Sequence, residues 1–320
     1  MDLKQLEYII EISNEKNISR AAKKLYITQS ALNQQLLKLE KEIGSQLFLR
    51  SRTSCKLTPV GQIYIESAKK ILEIKKEAYN KIYDYLNDYK GEISIGLLAD
   101  RGIYLFVSIL DELKKKYPNL TIKPLDLSVV KQQEMLINNK LDLGFMTLGD
   151  NQKSEDNYVP IYRERFVLVC SKKNIFIDKL ELNTVEEVDL SKLKDMEFVV
   201  IEKGTVTREM TDKKFKEFKI NPKILFETSY SRSIVTAVKS SNCCFAILPF
   251  YYAASNLDEL EVYEMKNPIL WEVSISYKKG KYLNEPAKYF IELSKKFWEG
   301  ENLKLNKLYE IYKTKSRNSY

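Results

Sequence analysis

Between Arg20 and Gly44 two helical patterns are separated by only three residues, Tyr26 to Thr28. So short a link cannot lay two helices side by side, so they must cross steeply, and Ala21 and Ala22 are small where a crossing brings backbones together. Ser19 is the expected N-cap of the first, which runs through RAAKKL to about Tyr26. Thr28 is the expected cap of the second, QSALNQQLLKLEKEIG, in which Leu32, Leu36 and Leu39 form an apolar stripe and Gly44 supplies the stop. Ahead of both lies a helical pattern with Leu3, Leu6, Ile9 or Ile10, and Ile12 at helical spacing. This is the signature of a helix-turn-helix.

The run LFLRSRTSCKLTPVG follows, a basic, strand-prone hairpin bracketed by Leu47, Phe48 and Leu57, which reads as a wing. Thr58 as cap and Pro59 at the first helical position open a long helix to about Tyr89. Ile65, Ala68, Leu72, Tyr79, Ile82, Leu86 and Tyr89 recur by threes and fours, a heptad seam broken only at Lys75. Such a surface has to be buried, by a second copy of the chain or by the chain's own C-terminal part.

From Gly91 the texture changes. EISIGLL, TIKPLDL and LDLGFMTL are strand-like runs separated by helical patterns over about 101–117 and to about Asn139, a β-α-β-α-β series that implies parallel strands. FVLVCSK, FVVIEKG, KILFETS and FAILP, with helices over about 205–218 and 231–240, form a second set; WEVSISYKK and a helix over about 284–298 complete it. Two α/β lobes with two chain crossings are expected, with a ligand cleft between them. Residues 301–320 read as a polar, Lys-rich tail with little to bury.

Composition narrows the chemistry. The chain has no histidine, which removes His-based acid/base catalysis, the His-dependent nucleophile systems and most catalytic zinc sites. Four scattered cysteines, Cys55, Cys170, Cys243 and Cys244, make neither a disulfide framework nor a C-x-x-C motif. The amino-terminal stretch carries acidic residues within its apolar run, unlike a secretory segment, and no run approaches the length of a membrane span. A reducing, cytoplasmic protein with no catalytic residues, metal or cofactor is the expectation.

Charge points to the partner. Between Lys16 and Lys56 nine bases stand against two acids, nearly the whole excess of a chain whose net charge is +8. That concentration, on a helix-turn-helix and a wing, is the footprint of phosphate-backbone binding. Sequence would be read from the exposed start of the second helix, by Thr28, Gln29, Ser30, Asn33 and Gln34.

The segment from Asp2 to Gly61 resembles, almost position for position, the DNA-binding region of LysR-type transcriptional regulators. GEISIG, the KKYPNLTI turn, NNKLDLGF and the strand ending AILP are similar to family landmarks in order and spacing, so the resemblance spans about residues 1–300. It implies an α+β multi-domain chain with a winged helix-turn-helix at 1–58 and a linker and dimerisation helix at 59–90. A two-lobed, periplasmic-binding-protein-like effector domain at 91–300 follows, with lobe I at about 91–162 and 268–300 and lobe II at about 163–267. On these matches Ser19, Arg20, Lys23 and Lys38 join the recognition residues on DNA, and Arg50, Arg52 and Lys56 of the wing reach phosphate or the minor groove. Ser30 stands where a proline is usual and Gln34 where an arginine is usual; without that guanine reader an A·T-rich operator is expected.

The same resemblance places an effector at Asp100, Arg101, Gly102, Ser128, Val129, Glu202, Lys203, Gly204, Thr205 and Arg208. Helix N-termini with Arg101, Lys203 and Arg208 suggest a small anionic metabolite. Asp100, where Ser or Thr is common, either caps the helix at Arg101 or faces an amine on the ligand. The SNCCFAILP stretch lacks the usual glycines. Cys243 and Cys244 have no nearby base, which argues against a thiol sensor. The implied assembly is a homodimer or homotetramer on double-stranded DNA, with RNA polymerase a candidate partner and no membrane. A solute-binding protein, an enzyme or an architectural DNA binder are the competing readings.

Overall fold

Asp2 starts the first helix, its carboxylate accepting the Lys4 N–H at 3.1 Å. The computed structural model describes residues 2–50, 55–86, 89, 91–149, 152–182 and 187–318. The chain divides into two units, residues 1–88 and 89–320.

In the first unit, α1 (Leu3–Glu15), α2 (Ile18–Lys24) and α3 (Gln29–Ile43) pack around Ile9, Ile12, Ala21, Leu32 and Leu36. The chain leaves α1 through a left-handed Lys16 (φ 51), which delivers Asn17 rather than Ser19 to the cap of α2; its Oδ1 accepts the Arg20 N–H at 3.0 Å. Thr28 caps α3 through the Ala31 N–H at 3.2 Å, and Gly44 (φ 75) ends it. The hairpin β1 (Phe48–Arg50) and β2 (Cys55–Leu57) forms the wing.

Next comes α4 (Pro59–Leu86), whose first turns press so closely on the wing that a Cβ at Gly61 would lie 2.0 Å from the Leu47 carbonyl oxygen. Lys75, the break in the heptad seam, faces α1, with Nζ 3.9 Å from Glu7. Ile65 and Ala68 are buried, while Ile74, Tyr79, Ile82, Tyr85 and Leu86 further along stay exposed.

The second unit is built on a ten-stranded sheet. β3 (Glu92–Leu97), β4 (Thr121–Asp126) and β5 (Leu143–Leu148) are parallel, as the alternation with helices requires; α5 (Arg101–Lys116) and α6 (Val129–Ile137) connect them. β6 (Asn157–Ser171) is one continuous 15-residue strand, so the lobe border expected at 162/163 falls inside it. Its second half carries the other lobe: β7 (Glu187–Val188), β8 (Glu197–Ile201), α7 (Val206–Glu217), β9 (Lys223–Thr228), α8 (Ser231–Ser240), β10 (Cys244–Pro249), α9 (Phe250–Ala253) and β11 (Leu260–Met265). β12 (Leu270–Tyr277) returns antiparallel to β5 and β6.

The terminal helix overturns the expectation of a helix ending near 298 followed by a polar tail. α10 runs unbroken from Glu285 to Asn318. Phe290, Leu293 and Trp298 enter the core of the first lobe; Leu305, Tyr309 and Tyr312, spaced by four and three, pack on the second. Three sparse apolar side chains on one face suffice for docking when the rest of the helix is charged.

Candidate nucleic-acid interface and effector cleft

α3 presents its start to solvent: Thr28, Gln29, Ser30 and Gln34 are exposed, as are Arg20, Lys23, Lys38 and Lys56. Two expected readers are already engaged. Ser19 Oγ donates to Gln29 Oε1 at 2.8 Å, pinning α2 to α3. Asn33 Oδ1 accepts from Arg50 Nη1 at 3.1 Å, which ties its amide to the wing, whereas Gln34 is exposed. Arg50 also pairs with Glu40, a buried carboxylate on α3 that accepts the Leu47 N–H at 2.8 Å and the Phe48 N–H at 3.3 Å. Arg50 is thereby turned toward the recognition helix, and Glu40 clamps the wing to it. Arg52 lies outside the described residues. Arg20 donates to the Glu15 carbonyl at 2.7 Å.

Sequence reasoning passed over Tyr26. It sits in the turn between α2 and α3 with φ 56 and is 95% exposed. A large aromatic in solvent at a left-handed position beside the recognition helix contributes nothing to the core, and its place in the three-residue link was the available signal.

In the second unit a cavity of about 430 Å³ opens between the two halves of the sheet. Ser128 caps α6 and Thr205 caps α7, so two helix N-termini border it. Of the expected effector residues, Arg101, Ser128, Val129, Glu202, Gly204 and Thr205 line it, whereas Asp100, Gly102, Lys203 and Arg208 do not. Asp126, Glu209, Gln133, Tyr252 and Trp271 line it as well and were not anticipated. Asp126 and Trp271 sit at strand ends and Gln133, Glu209 and Tyr252 on α6, α7 and α9, elements that only the folded sheet brings together.

Two of the three cations expected to greet an anion are committed elsewhere, and the third, Lys203, is exposed outside the cavity lining. Arg101 is 1% exposed; its Nη1 lies 2.6 Å from Glu164 and 3.0 Å from the Tyr162 hydroxyl. Burial works against its charge, but Glu164 beside it holds the guanidinium protonated, its pKa well above the ordinary value. Tyr251 and Trp271 rings flank it at 4.4 and 5.5 Å. Arg208 is buried as well, bonded to Asp212 at 2.7 Å, Glu227 at 2.9 Å and the Ile201 carbonyl at 2.9 Å.

Asp100 does not cap α5. It adopts φ 70, ψ −82, a γ-turn closed by the Arg101 N–H to the Ala99 carbonyl at 3.0 Å, and makes no side-chain cap bond. Instead both its carboxylate oxygens accept from Arg232 Nε on α8, each at 2.8 Å, so the residue ties one lobe to the other. Gln152 donates to Glu209 at 2.5 Å across the opposite end. Of the paired thiols, Cys244 is buried in the core, and Cys243 is half-buried beside Ser241 and Glu197.

The chain matches two family models, the bacterial regulatory helix-turn-helix protein of the lysR family over residues 3–62 and the LysR substrate binding domain over residues 87–299. The chain belongs to the LysR family. It is a LysR-type DNA-binding transcriptional regulator with an effector-binding domain, and not an enzyme. The uncharacterized HTH-type transcriptional regulator YwbI of Bacillus subtilis is 25% identical over 302 residues, 93% of this chain and 98% of that protein. CysL of the same organism is 27% identical over 233 residues, 73% of this chain and 76% of its own.

A full-length OxyR from Pseudomonas aeruginosa, solved as a cysteine-to-aspartate variant, superposes with a TM-score of 0.66 at 22% identity, over 92% of this chain and 94% of its own. CbnR, a LysR-family regulator solved with its target DNA, gives 0.55 at 20% identity, over 92% and 99%. At such identities the structures establish the fold, which is that of a full-length LysR regulator. No described helix of this LysR-type chain is long and apolar enough to cross a membrane, and no metal-ligating cluster forms among the described residues.

Proposed function

We propose that this regulator binds an A·T-rich operator as a homodimer or a pair of homodimers and responds to a small metabolite held in the 430 Å³ cleft. The single observation that carries the operator reading is the make-up of the exposed start of α3, amides and hydroxyls with no arginine. Thr28, Gln29, Ser30 and Gln34 read bases; Ser19 and Asn33 position Gln29 and Arg50; Arg20, Lys23, Lys38, Arg52 and Lys56 hold phosphate. Selection of sites from random DNA tests it: A·T at the central recognition positions is expected, and G·C there overturns it.

The exposed apolar residues of α4 beyond Ala68 support dimerisation, since one copy leaves them uncovered. A titration by analytical ultracentrifugation in which the chain stays monomeric at micromolar concentration would refute this.

For the effector, an anionic group is supported by the two helix N-termini, with the Ser128 hydroxyl as a donor, while the Thr205 hydroxyl is spent on the Glu202 carbonyl at 3.0 Å. Asp126, Glu202 and Glu209 add carboxylates to the same cavity, while Arg101 is neutralised by Glu164. The combination suits a metabolite that carries an amine as well as a carboxylate. A thermal-shift panel of amino acids, dicarboxylates and polyamines discriminates: amino acids should raise the melting temperature most, and a response to dicarboxylates alone restores a purely anionic ligand. RNA polymerase is the expected further partner at the promoter.

A further inference from the structure

The family match ends at residue 299, yet α10 continues for nearly twenty residues. Its two halves belong to different cores. The first is seated in one lobe by Phe290, Ile291, Leu293 and Trp298, with the Trp298 ring stacked 4.8 Å from Tyr162. The second is seated on the other lobe, with Tyr309 buried 4.8 Å from the Phe250 ring and 4.9 Å from the Arg165 guanidinium. Tyr312 donates to Glu261 at 2.6 Å and accepts the Val262 N–H at 3.0 Å; Lys313 pairs with Glu264 at 3.0 Å. Two lobes joined by β6 and by the β11–β12 return alone can swing about those crossings, but a helix about 50 Å long, docked on both, adds a third.

Between the two anchored halves the helix is at its weakest. Gly300 is exposed, sits two residues past Trp298, and a Cβ there would meet nothing within 4 Å. A helix-interior glycine that no packing demands is a place where the rod yields. Beneath the next turn lies a cavity of about 240 Å³ lined by Asn302, Leu305 and Asn306 on α10 and by Arg163 and Glu164 on β6, so the helix has room to move just past the glycine.

We propose that residues 301–314 of α10 form an interlobe strap, jointed at Gly300, which sets how far the two lobes open. The strap biases the unliganded domain toward one lobe angle, and effector binding works against or with that bias. This builds on the reading of a lobe-closing effector, but its test is made without ligand, so failure of either is seen separately.

The experiment uses the full chain with Cys243→Ser and nitroxide labels at Lys115→Cys on α5 and Lys216→Cys on α7, both exposed positions, diluted into excess unlabelled protein. Distances are read by pulsed electron resonance. Tyr312→Phe removes only the hydroxyl that bonds Glu261 and the Val262 N–H, and about a tenfold rise in the longer-distance population is expected. Gly300→Ala stiffens the joint without a clash and narrows the distribution. A Tyr312→Phe distribution superimposable on wild type overturns the strap, and a Gly300→Ala distribution as broad as wild type overturns the joint.

Discussion

The Arg101 guanidinium and the Glu164 carboxylate meet at 2.6 Å in the interior, where the strand shared by both lobes passes the start of α5. Glu164 also accepts the Trp271 indole N–H at 2.9 Å and the Tyr251 backbone N–H at 2.9 Å, so one carboxylate joins four separate elements. Arg101 lines the cleft, and the pair therefore connects the ligand cavity to the hinge strand.

Removing one partner of such a pair leaves the other charge buried and uncompensated. Glu164→Gln is expected to destabilise the second unit by about 3 kcal/mol. Calorimetric melting of the full chain checks this; a loss below about 1 kcal/mol would mean that water or Tyr162 compensates the guanidinium.

Base reading and phosphate binding should separate. Gln34→Ala is expected to relax selectivity at one base pair by about 1–3 kcal/mol, whereas Lys38→Ala should weaken all sites alike and reduce the salt slope of binding by about one. Equilibrium binding over a salt series on operator and mutated operator measures both. Equal loss on every sequence for Gln34→Ala would remove it from the base-reading set.

Gly61→Ala should injure the first unit, because the new Cβ would sit 2.0 Å from the Leu47 carbonyl oxygen, which is backbone and cannot step aside. A cost of about 2 kcal/mol is expected, with operator affinity falling as the wing shifts. Unchanged melting and affinity would show that α4 and the wing are less tightly joined than they stand here.

Acid should loosen the end of α10. Burial raises the pKa of Glu264, but hydrogen bonds from Tyr309 and Lys313 and the nearby Arg165 outweigh it and hold the carboxylate below its ordinary range. A carboxylate with a depressed folded pKa stabilises the fold above its unfolded value and stops doing so as pH falls through the folded one. The urea midpoint of wild type should fall between about pH 5 and about pH 3 more steeply than that of Glu264→Gln. Parallel curves would show that Glu264 makes no net contribution.

Much of the first unit was legible because its signals are local. The caps Thr28 and Gly44, the leucine stripe of α3 and the small Ala21 and Ala22 act within a turn or two of the chain. Even so, Ser19 reads as the cap that Asn17 in fact provides, since both are good caps and only the left-handed Lys16 between α1 and α2 decides which one arrives. The effector site was less legible. Ser128 and Thr205 were placed near the cleft by the family resemblance and prove to cap α6 and α7, but the fates of Arg101, Arg208 and Asp100 depend on Glu164, Glu227 and Arg232, between 19 and 132 residues away in sequence.

The sequence by itself determined that a steep helix pair precedes an α/β domain and that positive charge gathers on that pair, because caps, apolar periodicity and net charge are properties of neighbouring residues. Which charges remain available to a ligand, and that α10 runs on past Trp298 to seat Leu305, Tyr309 and Tyr312 on the second lobe instead of trailing in solvent, were decided only by tertiary structure. Charge pairing and apolar burial depend on distances in space, and those are set when remote segments close on one another.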